Sequence, residues 1–157
     1  MSIDDLKSLM DAFEPSALLP ELDSLMGIVV TAVRVAMLVG PVILLVMGIL
    51  YLFLAPKEAN YYFGYRCFFG MGSVEAWRYT QRIAGLVWAA LGLILTVTMF
   101  VISGGFAQKQ VQEVLSSAMT CILWEVGLVA VSCLAINTLV MMNFTADGEL
   151  RKRNVKK

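Results

Sequence analysis

The sequence predicts an all-α integral membrane protein, with three transmembrane helices and a short amino-terminal amphipathic helix, and three observations lead there. Apolar residues make up 59% of the chain against 15% charged, whereas a soluble domain runs nearer half apolar and a quarter charged. They gather into long runs at about 25–54, 74–103 and 117–142, each long enough to cross a hydrocarbon core of roughly 30 Å. The 12 basic and 12 acidic residues cancel, but the two signs are segregated along the chain rather than mixed.

The leader, 1–24, comes first. Between Ser2 and Phe13, the residues Ile3, Leu6, Leu9, Met10 and Phe13 recur at the spacing of one helix face, and Ser2 with Asp5 resembles a capping box. Pro15 and Pro20 interrupt that pattern. Asp4, Asp5, Asp11, Glu14, Glu21 and Asp23 stand against Lys7 alone. This acidic outer segment reads either as the solvated face of an interfacial helix or as a surface that draws in a cationic ligand. Its apolar run begins only near Leu25, unlike the basic-then-apolar layout of a cleaved signal peptide, so Met1 is expected to be retained.

The membrane domain covers 25–146. Gly40-Pro41 should kink the first span. Ser73 is an apt cap for the second, with Glu75 favourably placed in its first turn. Gly85 with Ala89, and Gly92 with Thr96, are small pairs at the spacing that lets helices approach closely in lipid. A turn or two of amphipathic helix from Gln108 should precede the third span. Arginine and lysine set the orientation. Lys57, Arg66, Arg78 and Arg82 follow the first span and the basic tail, 147–157, follows the third, while only Lys109 lies between the second and third. The amino terminus is therefore expected outside and the carboxyl terminus in the cytoplasm, where the sequon Asn143-Phe144-Thr145 would be silent.

Arg34 and Glu125 are charged residues well inside the first and third spans. Measured from the expected outer ends of their spans they lie at a similar depth, which suggests an interhelical ion pair; the alternatives are an Arg34 that snorkels outward and a Glu125 that is protonated. Thr120, Ser132 and Asn137 form a weak polar stripe expected to face neighbouring helices. Trp88 and Trp124 are expected to pack, and Trp77 to join Tyr61, Tyr62 and Tyr65 in an interfacial aromatic belt. Histidine is absent, which removes the commonest general base and metal ligand. Cys67, Cys121 and Cys133 show no C-x-x-C spacing and read as reduced thiols. No catalytic group, metal site or cofactor is expected, and no nucleic-acid partner, since a domain-wide basic footprint is missing.

The loop 57–73 and the helix start after it, read from Asn60 to Gly85, are dense in aromatics, glycines and arginines. Arg66 offers a planar five-donor fork for a phosphate or carboxylate, Gly64 permits a turn that a larger side chain would resist, and Asn60 can bond its own backbone. The stretch reads equally as an interfacial anchor, with Arg66 on lipid phosphate, and as a specific binding site. Asn60, Tyr61, Gly64, Arg66, Ser73, Trp77, Arg82 and Gly85 resemble the signature of the SdpI family of bacterial membrane proteins, and the match is to the carboxyl-terminal half of that family's six-span form. This chain has Cys67 and Phe68 where the family often has threonine and proline, and Gln81 where it often has histidine or asparagine.

The resemblance implies a bacterial cytoplasmic (inner) membrane protein that confers immunity to a membrane-active antimicrobial peptide, a bacteriocin-type toxin, by binding it. The alternative is a non-catalytic accessory or signalling subunit of a larger complex, with a membrane or cytoplasmic protein as partner. Membrane lipids are partners on either reading.

Overall fold

The apolar runs form helices that pack side by side, and the remaining described chain gathers at their ends. The computed structural model of the chain describes residues 15–60 and 62–151. Helix α1 spans Pro15–Phe53, α2 spans Val74–Gly104 and α3 spans Val111–Asn143. Their stretches Ser24–Phe53, Val74–Gly104 and Val111–Asn143 are long and apolar enough to cross a membrane. The amphipathic helix expected over 2–13 and the last basic residues, 152–157, lie outside the described residues.

α1 starts earlier than the first span expected from the sequence, and the amphipathic turns expected before the third span are continuous with it. α1 begins at Pro15 and runs unbroken through Pro20 and through Gly40-Pro41, with Pro41 fully buried. Proline at a first helical position lacks only an N–H that would have no intrahelical partner there, so Pro15 starts the helix rather than ending one. α3 begins at Val111, and only the short 3-10 turn Gly105–Gln108 separates it from α2. A helix of 33 residues exceeds a hydrocarbon core of roughly 30 Å at about 1.5 Å per residue. Its polar first turns, with Gln112 and Glu113, can therefore project into the interface while the helix stays continuous.

Packing is tightest between α1 and α2. A methyl group on Gly48 would run into the Ala89 backbone, and one on Gly92 into the Leu45 backbone. Gly85 meets Leu52 and the Gly48 carbonyl. Without water to drive association inside the bilayer, this close backbone approach supplies the dispersion contact that holds the helices together.

Two apolar clusters mark the two ends of the bundle. Met37, Leu44, Leu95, Met99, Phe106 and Val114 form one. Tyr51, Ala76, Ala84, Ile136, Val140 and Phe144 form the other, directly beneath the loop 57–73.

Candidate functional site

The loop between α1 and α2 is held by side chains that satisfy its backbone. Asn60 Oδ1 accepts from the N–H groups of Tyr62 (3.1 Å) and Phe63 (2.9 Å), closing a local turn. Gln81, buried on α2, grips Tyr65 on both sides: its Oε1 accepts from the Tyr65 N–H (2.8 Å) and its Nε2 donates to the Tyr65 carbonyl (2.7 Å). Gly64 lies flat against this clamp with φ of 121°, where a Cβ would stand 2.7 Å from Trp77 Cζ2 and 2.9 Å from Gln81 Oε1. Trp77 is fully buried and its Nε1 donates to the Pro56 carbonyl (2.8 Å). It is thus a packing residue of the loop and not, as its position suggested, part of an interfacial belt.

Ser73 ties this loop to the chain that follows α3. Its Oγ accepts from the Ala76 N–H (3.1 Å), capping α2, and donates to the Gly148 carbonyl (2.7 Å). The chain after Asn143 folds back in a tight turn closed by the Phe144–Leu150 bridge. Gly148, with φ of 77°, rests on Gly72 and Ser73 so closely that neither glycine has room for a side chain.

Tyr65 links the loop to α3. Its hydroxyl faces Asn137 Oδ1 (3.1 Å) and the Cys133 carbonyl (3.3 Å), and its ring meets Trp88 edge-on at 5.3 Å. Burial, with Cys133 beside it, pushes the Tyr65 phenol well above its ordinary range, so it remains a donor. Burial likewise pushes the Cys67 thiol up. Trp88 Nε1 in turn donates to Ser132 Oγ (3.2 Å). Ser132 and Asn137 of the expected polar stripe thus face neighbours, whereas Thr120 is exposed and bonds the Ser116 carbonyl of its own helix (2.9 Å). Trp124, expected to pack, is 69% exposed.

The arginines behave differently from the residues that hold the loop. Arg66 is exposed and makes no hydrogen bond or ion pair among the described residues. Arg82 is likewise exposed, on the wall of a groove of about 850 Å³ between the end of α1 and the start of α2. Lys57 and Arg78 share that groove, and Arg78 Nε reaches the Lys57 carbonyl at 3.4 Å. The sequence reading used Lys57 and Arg78 only to orient the chain. The spacing of Arg78, Arg82 and Leu86, one helical turn apart on a single face, is the signal that could have found the groove.

Arg34 and Glu125 are not brought together. The Glu125 carboxyl lies against Gly40 on α1, which is six residues and so roughly 9 Å along the helix from Arg34. Arg34 instead lines an open cavity with Thr31, Phe106 and Lys109 near the other end of the bundle, and its Nε is buried without a hydrogen-bond partner among the described residues. The matched depth rested on a third span starting at about 117. Glu125 instead packs level with Gly40, farther along α1 than Arg34.

Among the described residues no group of His, Cys, Asp or Glu could hold a metal ion. Compared with known proteins, the chain matches the SdpI/YfhL protein family over residues 57–141, from the groove's Lys57 almost to the end of α3. No curated protein and no solved structure matches it.

Proposed function

We propose that this chain, which belongs to the SdpI/YfhL protein family, is an immunity protein of the bacterial cytoplasmic membrane that protects the cell from a membrane-active peptide toxin by binding it. The family includes immunity proteins. The observation that carries the reading is the contrast within the motif. Asn60, Gly64, Ser73, Trp77 and Gln81 are spent on holding the loop, while the Arg66 guanidinium is left exposed and unpaired among the described residues. A planar fork presented on a pinned loop suits bidentate capture of a carboxylate on a peptide that has inserted to the inner face of the membrane, with little ordering cost on binding. With the amino terminus outside, the acidic leader would speed encounter with a cationic peptide more than it tightens the final complex.

Expressing the chain alone in a sensitive host, then challenging it with membrane-active peptides encoded beside its gene, tests the reading directly. Survival is expected, and Arg66→Lys should abolish it while leaving membrane abundance intact, because an ammonium cannot reproduce the fork. No protection by the wild-type chain at full abundance would overturn the proposal.

The second reading, an accessory or signalling subunit, is favoured by Trp124, Leu123 and Met119. They lie together on α3 with 62–69% of their surface exposed, a face on which another helix could pack. A stoichiometric membrane partner co-purifying with the wild-type chain, and lost from Trp124→Ala, would select it.

A further inference from the structure

We infer that the groove between the end of α1 and the start of α2 is a binding site for the phosphate head of an anionic membrane lipid. Its cations are Lys57, Arg78 and Arg82, and the residues lining it include no carboxylate. Among the described residues these cations form no ion pair with an acidic side chain. Gln81 also borders the groove, but its amide is occupied on both sides by the Tyr65 backbone. The groove thus gathers three cations with no carboxylate among its lining residues.

Depth and shape select a lipid. α2 has 31 residues, and at about 1.5 Å per residue it overshoots a core of roughly 30 Å by several residues at each end. Arg78, in its second turn, therefore lies at headgroup level. Arg82 lies one turn deeper, and its side chain leans back toward the helix start. Leu86 follows on the same face at the depth of acyl chains, 52% exposed, and Phe53 opposite is 78% exposed. A groove that is cationic at the interface, apolar below and open sideways to the bilayer matches a phosphodiester with its hydrocarbon tails. A soluble phosphate would use only the upper part. Arg78 and Arg82 can each offer two parallel N–H donors to phosphate oxygens.

Full-length protein, purified and delipidated in a neutral detergent, can be titrated with phosphatidylglycerol and with phosphatidylcholine of the same acyl chains, counting bound lipids by native mass spectrometry. Phosphatidylglycerol should bind more tightly than phosphatidylcholine. Arg82→Gln should weaken phosphatidylglycerol binding roughly fivefold, the effect of one cation at an anionic lipid surface, and adding Arg78→Gln should weaken it further. Lys109→Gln, at the opposite end of the bundle, should change nothing. Arg82 makes no hydrogen bond among the described residues, so its replacement removes none from the fold; Arg78, which bonds the Lys57 carbonyl, is the second variant for that reason.

Equal affinity for the two lipids, or an Arg82→Gln chain that binds phosphatidylglycerol like wild type, would overturn the inference. So would displacement of the lipid by millimolar inorganic phosphate, which would make this a free-anion site. The outcome is independent of the protective role proposed above, since a lipid site can exist with or without toxin immunity.

Discussion

Replacing Gly64 by alanine would put a methyl group 2.7 Å from Trp77 Cζ2 and 2.9 Å from Gln81 Oε1, on a backbone whose φ is 121°. L side chains rarely adopt that conformation, and neither neighbour can retreat. Trp77 is fully buried and bonded to Pro56, and moving Gln81 would strip both partners from the Tyr65 backbone. Strain and overpacking together should cost about 2 kcal/mol or more. Thermal unfolding in detergent should show the midpoint of Gly64→Ala falling by roughly 5 °C. Gly127→Ala, inside α3 where nothing lies within 4 Å, should leave it unchanged or slightly raise it, since glycine costs a helix about 0.5–1 kcal/mol relative to alanine. The sequence marks Gly64 as a turn residue because glycine beside aromatics is conspicuous. It does not show that Gln81, one short polar side chain on a helix, is the clamp, because that role exists only once Tyr65 is folded against α2.

Between α1 and α2 the decisive contacts are backbone contacts, and they constrain residues on both helices at once. Gly85 and Gly92 are legible as small positions on α2. Gly48 is not, since its neighbour one turn on is Leu52 and the small residue it needs, Ala89, is supplied by the other helix. Gly48→Val should force the helices apart, with a loss of about 1–3 kcal/mol from overpacking. Gly27→Val, at a position with open space around it, should be tolerated. Reversible unfolding in mixed detergent micelles should separate the two variants, and equal stability would argue against this packing. Helix length also decides what meets what. The packing of α3 on α1 sets Glu125 against Gly40 rather than Arg34, and the amphipathic turns expected before the third span, with Gln112 and Glu113, are the ones a continuous α3 can project beyond the hydrocarbon.

At the scale of the whole molecule, the loop 57–73 and the turn after α3 lie at one end of the bundle, joined by Ser73 and Gly148. Among the described residues, Lys57, Arg66 and Arg151 therefore share one membrane face, as three crossings require. On the orientation proposed from the positive-inside rule, that face is the cytoplasmic one. A membrane-impermeant thiol reagent applied from outside should modify a cysteine placed at Asp5 and spare cysteines placed at Lys57 or Lys156, in a background without the native thiols. The reverse pattern would invert the protein and with it the proposed roles of the leader and the loop.

Hydropathy, glycine spacing and charge segregation were enough to determine that the chain crosses the membrane on three helices and that its unusual residues gather after the first. Those properties are additive along the chain, because each residue is sorted by lipid or water largely on its own. Tertiary structure alone decided that most of the motif is internal scaffolding, that Arg34 and Glu125 stay apart, and that Lys57, Arg78 and Arg82 line one groove. These are relations between surfaces brought together by helix lengths and close backbone approach, and a displacement of a single turn along a helix, about 5.4 Å, is enough to change every partner.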